Sequence, residues 1–138
     1  MILVIDDEKR EMDSYVQELQ LVGYEVRFEK DVDLALGFFE EHGAEVDLLV
    51  LDIMMPSGSR FKEVDTSRGL RTGLLVYEWL RERAPDLPGL ILTNVSKEDV
   101  ADRFRTEEMC WFLLKEDYMP FELAEKVASI LPRPGGRE

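Results

Sequence analysis

Five polar side chains in this sequence stand directly after short apolar runs, where buried strands would end. They are Asp6, Asp7, Asp52, Thr93 and Lys115. The clearest run is 48–51, four apolar residues that read as a strand buried on both faces. The carboxyl ends of parallel strands meet at one edge of a sheet, so three carboxylates, a hydroxyl and an ammonium should converge there. At each single position, an ordinary polar residue opening a surface loop is the alternative.

Three carboxylates held close together repel one another unless a cation compensates their charge. Oxygen ligands without histidine or cysteine favour a hard ion, so we expect Mg²⁺ or Mn²⁺. Asp52 could act as a nucleophile, and Lys115 and the metal could neutralise charge on a transferred phosphoryl group. Thr93 could donate a hydrogen bond to a phosphoryl oxygen. The residue types therefore favour phosphoryl chemistry beside a metal ion.

The elements that must position these side chains alternate between strand and helix patterns. Strands are predicted over residues 2–5, 24–28, 46–52, 87–93 and 110–114, and helices over residues 9–22, 31–42, 74–84, 96–107 and 120–131. Gly23 and Gly43 are predicted to end the first two helices, Asp31 to cap the second and Pro120 to open the fifth. Such alternation predicts an α/β fold with a parallel sheet between two layers of helices.

Composition and charge exclude several classes of function. A chain of 138 residues that is 45% hydrophobic suits one domain with its own core. A formal net charge of −13 repels phosphate backbones, so we expect no binding to nucleic acid. The single cysteine, Cys110, excludes an internal disulfide, and the single histidine, His42, excludes a histidine-rich metal site. No apolar run has transmembrane length and no leader opens the chain, which predicts a cytoplasmic protein without membrane insertion.

In its strand-end motifs the sequence resembles the receiver domain of two-component response regulators. The matching motifs are Val4-Ile5-Asp6-Asp7-Glu8, Leu51-Asp52-Ile53-Met54-Met55-Pro56, Leu92-Thr93 and Leu114-Lys115. The resemblance covers residues 2–131 and implies a flavodoxin-like, doubly wound sheet of five parallel strands in the order 2-1-3-4-5 with five helices. We therefore expect a receiver domain over residues 1–131, with an inserted loop at 57–72 and a flexible tail at 132–138.

The resemblance also implies a metal site. Asp7 and Asp52 would bind Mg²⁺ directly, together with the main-chain carbonyl of Met54, and Asp6 would assist through a water molecule. The resemblance further implies that Asp52 would accept a phosphoryl group from a histidine kinase or a phosphotransfer protein. The domain would therefore be a phosphoacceptor and not an enzyme.

Further roles are implied for residues near the last two strands. Thr93 and Lys115 would bind the phosphoryl group, and Phe112 would act with Thr93 as the switch aromatic, although packing in the core is the alternative for Phe112. A downstream protein would bind the surface formed by residues 96–131. Loss of phosphate should be slow, because Met54 and Val95, which would flank the path of the attacking water, are apolar.

Three features depart from the family pattern. Glu116 follows Lys115 where the family usually has proline, and Asn94 follows Thr93 where it usually has a smaller residue that leaves Asp52 more accessible. The connection after Asp52 is roughly a dozen residues longer than a usual strand-to-helix loop. Its segment 57–72 sums to a charge of +2, from four basic and two acidic residues, which leaves two interpretations open: a disordered insertion, or a lid or docking element at the acidic pocket.

We predict a stand-alone receiver that signals through phosphorylation-dependent protein binding. The alternative on the same fold is a receiver-like interaction module that works independently of phosphorylation. An aspartyl-phosphate phosphatase of the dehalogenase type is disfavoured, because it would need a second aspartate at the position of Met54.

Overall fold

The computed structural model describes residues 1–56, 72–94 and 98–133, with no side-chain description for 98–100. The strands are β1 (Ile2–Ile5), β2 (Val26–Glu29), β3 (Leu48–Leu51), β4 (Gly89–Thr93) and β5 (Cys110–Leu114). The helices are α1 (Lys9–Val22), α2 (Val32–His42), α3 (Thr72–Arg83), α4 (Glu98–Arg105) and α5 (Pro120–Ile130). Short 3₁₀ turns follow α2 at Gly43–Glu45 and β5 at Lys115–Asp117.

The five strands form one parallel sheet in the order β2-β1-β3-β4-β5. This confirms the predicted flavodoxin-like, doubly wound fold with the order 2-1-3-4-5. The chain runs outward from β1 to β2 and then returns to place β3 on the other side of β1. In such sheets ligands bind in the crevice beyond the carboxyl ends of the strands, at this reversal of direction. Asp6 and Asp7 follow β1 there, and Asp52 follows β3.

Alternate residues of the central strands point into two apolar layers, one on each face of the sheet. On one face Ile2, Val4, Leu48 and Val50 pack against α1 and α5. On the other face Leu3, Ile5, Leu49 and Leu51 pack against α2, α3 and α4. Burial on both faces is why β1 and β3 are apolar throughout and β4 has no polar side chain before Thr93, whereas the edge strand β2 alternates apolar with charged residues.

The predicted helix ends are mostly confirmed. Gly23 ends α1 in the left-handed region with φ 113°, and the side chain of Asp31 caps α2 by accepting the amide of Leu34 at 3.0 Å. Pro120 is the first residue of α5. Gly43 follows the last residue of α2 for a different reason, since it keeps a right-handed helical backbone and continues into a 3₁₀ turn. A Cβ on Gly43 would lie 3.1 Å from the ring of Phe39, so close packing explains this glycine.

Three strands begin two residues later than the sequence pattern predicts, and α3 begins two residues earlier. Thr72, which we expected to end the inserted loop, is instead the first residue of α3. Residues 57–71, and the 134–138 part of the expected tail, lie outside the described residues. Within the ranges described, no helix is long and apolar enough to cross a membrane.

Candidate functional site

The carboxyl edge of the sheet brings together all five of the polar side chains that follow the strands. Asp6, Asp52, Thr93 and Lys115 are buried, and Asp7 is partly exposed. A cleft of about 500 Å³ opens beside them. It is lined by Asp7, Glu8, Asp52, Met54, Met55, Pro56, Thr93 and Asn94. The predicted convergence is therefore present, and it leaves room for a small ligand.

Three carboxylates form the acidic part of this site. Asp6, Asp7 and Asp52 each offer one oxygen, and these oxygens all lie within 4.8 Å of one another. Burial, followed by the charge of Asp52, raises the pKa of Asp6 to about 6, and the same two causes raise the pKa of Asp7. The cluster is thus electrostatically unfavourable without a cation.

Backbone amides fix the orientation of two of these carboxylates. The amide of Glu8 donates to Asp6 Oδ1 at 2.8 Å, and the amide of Ile53 donates to Asp52 Oδ1 at 2.7 Å. The start of α3 also lies against this turn, since the amide of Gly73 donates to the carbonyl of Ile53 at 2.7 Å. A Cβ on Gly73 would lie 2.3 Å from Ile53 Cα, so only glycine allows this approach.

The donor set fits a hard divalent cation. Carboxylate oxygens are the ligands that Mg²⁺ and Mn²⁺ prefer, and three of them are close enough to share one ion. Among the described residues, the buried oxygen Asp6 Oδ2 has no hydrogen-bond partner, although the ammonium of Lys115 lies 2.8 Å away off the hydrogen-bond direction. Met54 lines the same cleft.

Lys115 supplies the positive charge of the site. Its Nζ lies 2.8 Å from Asp6 Oδ2, 3.6 Å from Asp52 Oδ2 and 2.6 Å from Glu11 Oε1. Burial acts to lower the pKa of Lys115, but its contacts with Asp6 and Glu11 and the charge of Asp52 together raise that pKa above its usual range. Lys115 therefore stays charged at neutral pH.

Glu11 is a member of the site that the sequence reasoning missed. Its carboxylate binds Lys115 through Oε1, and Oε2 accepts a hydrogen bond from Asn94 Nδ2 at 3.5 Å. The contact with Lys115, against a smaller effect of burial, lowers the pKa of Glu11. A usable signal was its spacing, because Glu11 comes four residues after Asp7, in the first turn of the helix that leaves the acidic strand end.

The structure also places the remaining predicted residues. Thr93 is fully buried as the last residue of β4, and it lines the cleft. Asn94 is exposed and its amide reaches Glu11, so the larger side chain contacts the rim of the cleft. Phe112 lies beside Ile91 in the sheet and stacks on Phe104 of α4, with 6.1 Å between the ring centroids. This contact joins β5 to α4.

A hydroxyl group from α1 holds the turn that follows Lys115, where the family pattern would have a proline. Tyr15 Oη donates to the carbonyl of Tyr118 at 2.6 Å, just after the 3₁₀ turn Lys115–Asp117. The same oxygen lies 3.4 Å from the carbonyl of Lys115. The turn is thereby tied to α1, the helix that carries Glu11.

This chain is similar to known proteins both in sequence and in fold. The sequence profile described as "Response regulator receiver domain" matches residues 2–128. The chain is 35% identical over 138 residues to a probable transcriptional regulator, ycf27, of Porphyridium aerugineum, with 96% of this chain and 48% of the relative covered. It is 32% identical over 129 residues to the response regulator MprA of a Mycobacterium species, with 92% and 47% covered.

The chain thus spans about half the length of the curated relatives it matches. Among solved structures, a receiver domain protein from Clostridium thermocellum has the same fold, with a TM-score of 0.75, 23% identity and coverage of 94% of this chain and 92% of that one. The profile match spans most of the sequence. The site lies at the carboxyl ends of the strands, where open α/β sheets bind ligands. The chain belongs to the response regulator receiver domain family.

Proposed function

We propose that Asp52 accepts a phosphoryl group from a histidine kinase or a phosphotransfer protein, in the cytoplasm, and that the domain works as a phosphorylation switch. One observation carries this proposal. The carboxylate of Asp52 belongs to a cluster of three carboxylates that fits a divalent cation, lies 3.6 Å from the ammonium of Lys115 and lines an open cleft. A nucleophile flanked by two kinds of positive charge suits the transfer of an anionic group.

In the transfer, a carboxylate oxygen of Asp52 forms a bond to phosphorus while the bond from phosphorus to the donor breaks. The electron pair of the broken bond leaves with the donor. Mg²⁺, when bound, supplies charge neutralisation for the phosphoryl oxygens. We propose that Asp7, Asp52 and the carbonyl of Met54 hold the ion and that Asp6 assists through water.

Two further side chains would contact the phosphoryl group itself. Thr93 would donate its hydroxyl hydrogen, because it lines the same cleft as Asp52. Lys115 would contribute an ammonium N–H, because its Nζ lies 3.6 Å from Asp52 Oδ2. Neither residue would have to cross the cleft. In this proposal the two side chains stabilise the acyl phosphate once it has formed.

The signal would leave through residues 96–131, which include α4, β5 and α5, to a downstream protein partner. Phe112 supports this route, because it stacks on Phe104 and so links the strand that ends at Lys115 to α4. We propose Thr93 and Phe112 as the switch pair and residues 1–131 as the receiver domain. Whether the domain acts alone is part of the proposal, and gel filtration with candidate partners before and after phosphorylation tests it.

The decisive experiment incubates the protein with a small acyl phosphate and Mg²⁺ and measures intact mass. We expect one phosphoryl adduct that is stable in acid and labile in base, and we expect the variant Asp52→Asn to lack it. The matched control is Asp13→Asn on the outer surface of α1, which should be phosphorylated like the wild type. Uptake by Asp52→Asn at the wild-type rate would show that another residue is the acceptor.

The second candidate is a receiver-like interaction module that works without phosphorylation. It is favoured by one contact, since Lys115 lies closer to Glu11 than to Asp52 in this structure. A folded wild-type protein that gains no mass with the acyl phosphate, and that binds its partner equally with and without it, would establish this alternative.

Self-dephosphorylation is expected to be slow. Met54 has a half-exposed apolar side chain at the cleft and offers an attacking water no hydrogen bond, while Val95 lies outside the described residues. The double variant Met54→Asn, Val95→Glu should lose phosphate faster than the wild type, as measured by the decay of the adduct after removal of the donor. Faster decay in the wild type would refute this explanation.

A further inference from the structure

We propose that Glu11 is a positioning residue for Lys115, which it restrains before phosphorylation and must release for the phosphoryl group to bind. The inference rests on the proposed role of Asp52 as phosphoacceptor. It follows that Glu11 lowers the rate at which Asp52 is phosphorylated, because it competes with the phosphoryl group for the same ammonium.

The distances around Lys115 show the competition. Its shortest contact is with Glu11 Oε1 at 2.6 Å, which is a charge-assisted hydrogen bond. Its contact with Asp52 Oδ2, at 3.6 Å, is longer than a hydrogen bond. The ammonium is therefore drawn toward α1 and away from the residue that it is expected to assist.

The burial of each carboxylate determines which of them can lose its contact with Lys115 at lower free-energy cost. The side chain of Glu11 is 42% exposed, whereas that of Asp6 is 1% exposed. An exposed carboxylate that loses Lys115 is solvated by water, but a buried one would be left with an uncompensated charge. Glu11 is thus the partner that Lys115 can exchange at small free-energy cost.

A second contact ties Glu11 to the rim of the cleft. Asn94 Nδ2 donates to Glu11 Oε2 at 3.5 Å, so one carboxylate links α1 both to the residue after β4 and to the residue after β5. Asn94 and Glu11 are therefore arranged to change together. A phosphoryl group on Asp52 would add negative charge that attracts Lys115 and repels Glu11, and it would weaken both contacts.

The first test compares initial rates of phosphorylation by a small acyl phosphate at saturating Mg²⁺. Glu11→Gln keeps the size of the side chain and removes its charge, and we expect it to be phosphorylated about two- to fivefold faster than the wild type, the scale of one part-exposed ion pair. The matched control is Glu8→Gln, which removes one charge at the same cleft from a residue that makes no contact with Lys115 among those described.

The control separates positioning from simple repulsion of the anionic donor. Glu8→Gln should give a clearly smaller increase than Glu11→Gln. Equal increases in the two variants would mean that charge alone is responsible, and an unchanged or lower rate in Glu11→Gln would mean that Glu11 does not restrain Lys115. Either result overturns the inference.

The second test needs no phosphorylation. Urea unfolding of the wild type, Glu11→Gln, Lys115→Met and the double variant gives a cycle for the unphosphorylated protein. Each single variant should lower the folding equilibrium constant by some factor. We expect the double variant to lower it about fivefold less than the product of these two factors. For Asp13→Asn combined with Lys115→Met, the effect of the double variant on the folding equilibrium constant should equal the product of the two single effects, because Asp13 pairs with Lys9 on the surface.

The two tests separate the inference from the function on which it rests. If no variant takes up phosphate, the role of Asp52 as phosphoacceptor is lost, and the cycle alone decides whether Glu11 holds Lys115. If the double variant of Glu11 and Lys115 instead lowers the folding equilibrium constant by the full product of the two single factors, Glu11 does not restrain Lys115, whether or not phosphate is taken up.

Discussion

The buried carboxyl group of Asp6 gives the protein without divalent ions a pH dependence of its own. Its pKa is raised from 3.8 to about 6, so the folded state holds this proton more tightly than the unfolded chain does. The stabilising effect of that proton is complete below pH 4 and is lost as the pH rises through about 6. Above this window, the ionised Asp6 destabilises the fold.

We therefore predict that Asp6→Asn unfolds at higher urea concentration than the wild type at pH 7.5 in the presence of a chelator. The gain should be about 1–3 kcal/mol in the free energy of unfolding, and it should shrink as the pH is lowered toward 4. Comparing the two proteins at each pH cancels the contributions of groups such as Glu11. A difference in the free energy of unfolding between the two proteins that stays constant from pH 4 to 7.5 would contradict a raised pKa of Asp6.

Asp7 should be essential for the binding of Mg²⁺. An ion bound only by the folded state raises the melting temperature, and at a hundredfold excess over its dissociation constant it adds about 2.7 kcal/mol. We expect millimolar Mg²⁺ to raise the melting temperature of the wild type and of Asp13→Asn, but not of Asp7→Ala. Thermal unfolding followed by circular dichroism measures this. A wild-type melting temperature that does not change with millimolar Mg²⁺ would count against the metal site.

At the residue scale, the sequence predicted the side chains that follow strands and missed the one that comes from a helix. Asp52 and Lys115 could be predicted because strand ends in a parallel sheet have a fixed meeting place. Glu11 had only a weak signal, its position four residues after Asp7, because an acidic residue in the first turn of a helix is usually solvated there or favoured by the helix dipole. Its contact with Lys115 joins residues 104 positions apart.

The start of α3 determines how the turn that carries Asp52 is supported. Because a Cβ on Gly73 would meet backbone atoms of Asp52 and Ile53 at 2.7 Å and closer, Gly73→Ala must push α3 away from this turn. We predict a loss of about 3 kcal/mol in the free energy of unfolding, measured with urea, together with slower phosphorylation.

The control for Gly73→Ala is the same change in a helix where space is open. A Cβ on Gly37 of α2 would meet nothing within 4 Å, so Gly37→Ala should be stabilising by about 0.5–1 kcal/mol through helix propensity. If Gly73→Ala were as stable as Gly37→Ala, α3 would not lie against the Asp52 turn as described.

At the scale of elements, the type and order of every strand and helix followed from periodicity, but several of their limits did not. α3 begins at Thr72 because Gly73 docks on Ile53, a tertiary contact that the local pattern of residues 57–72 does not contain. β2 begins at Val26, opposite Ile2, since pairing with β1 and not the alternation of residues sets its start. Gly43 was predicted to follow α2, but the ring of Phe39 that explains it could not be predicted.

The net charge of −13 should affect the proposed phosphorylation at the scale of the whole molecule. Small acyl phosphates are anions, so the protein repels them at low ionic strength. We predict that the initial phosphorylation rate at saturating Mg²⁺ rises about twofold or more as added salt shortens the Debye length from about 10 Å to about 3 Å. A rate that falls with salt would contradict this, and equal unfolding curves at both salt concentrations provide the control.

The packing of α1 against α5 has a consequence for biosynthesis. One face of the sheet is covered by α1 and α5, the first and last described helices of this domain, so this half of the core stays open on the ribosome until α5 emerges. Lys115 is also synthesised after Asp6, Asp7 and Asp52, its acidic neighbours. The three aspartates are therefore all present in the nascent chain 63 residues before Lys115 is added, so any carboxylate cluster that forms in this interval lacks the lysine that pairs with it in the folded domain.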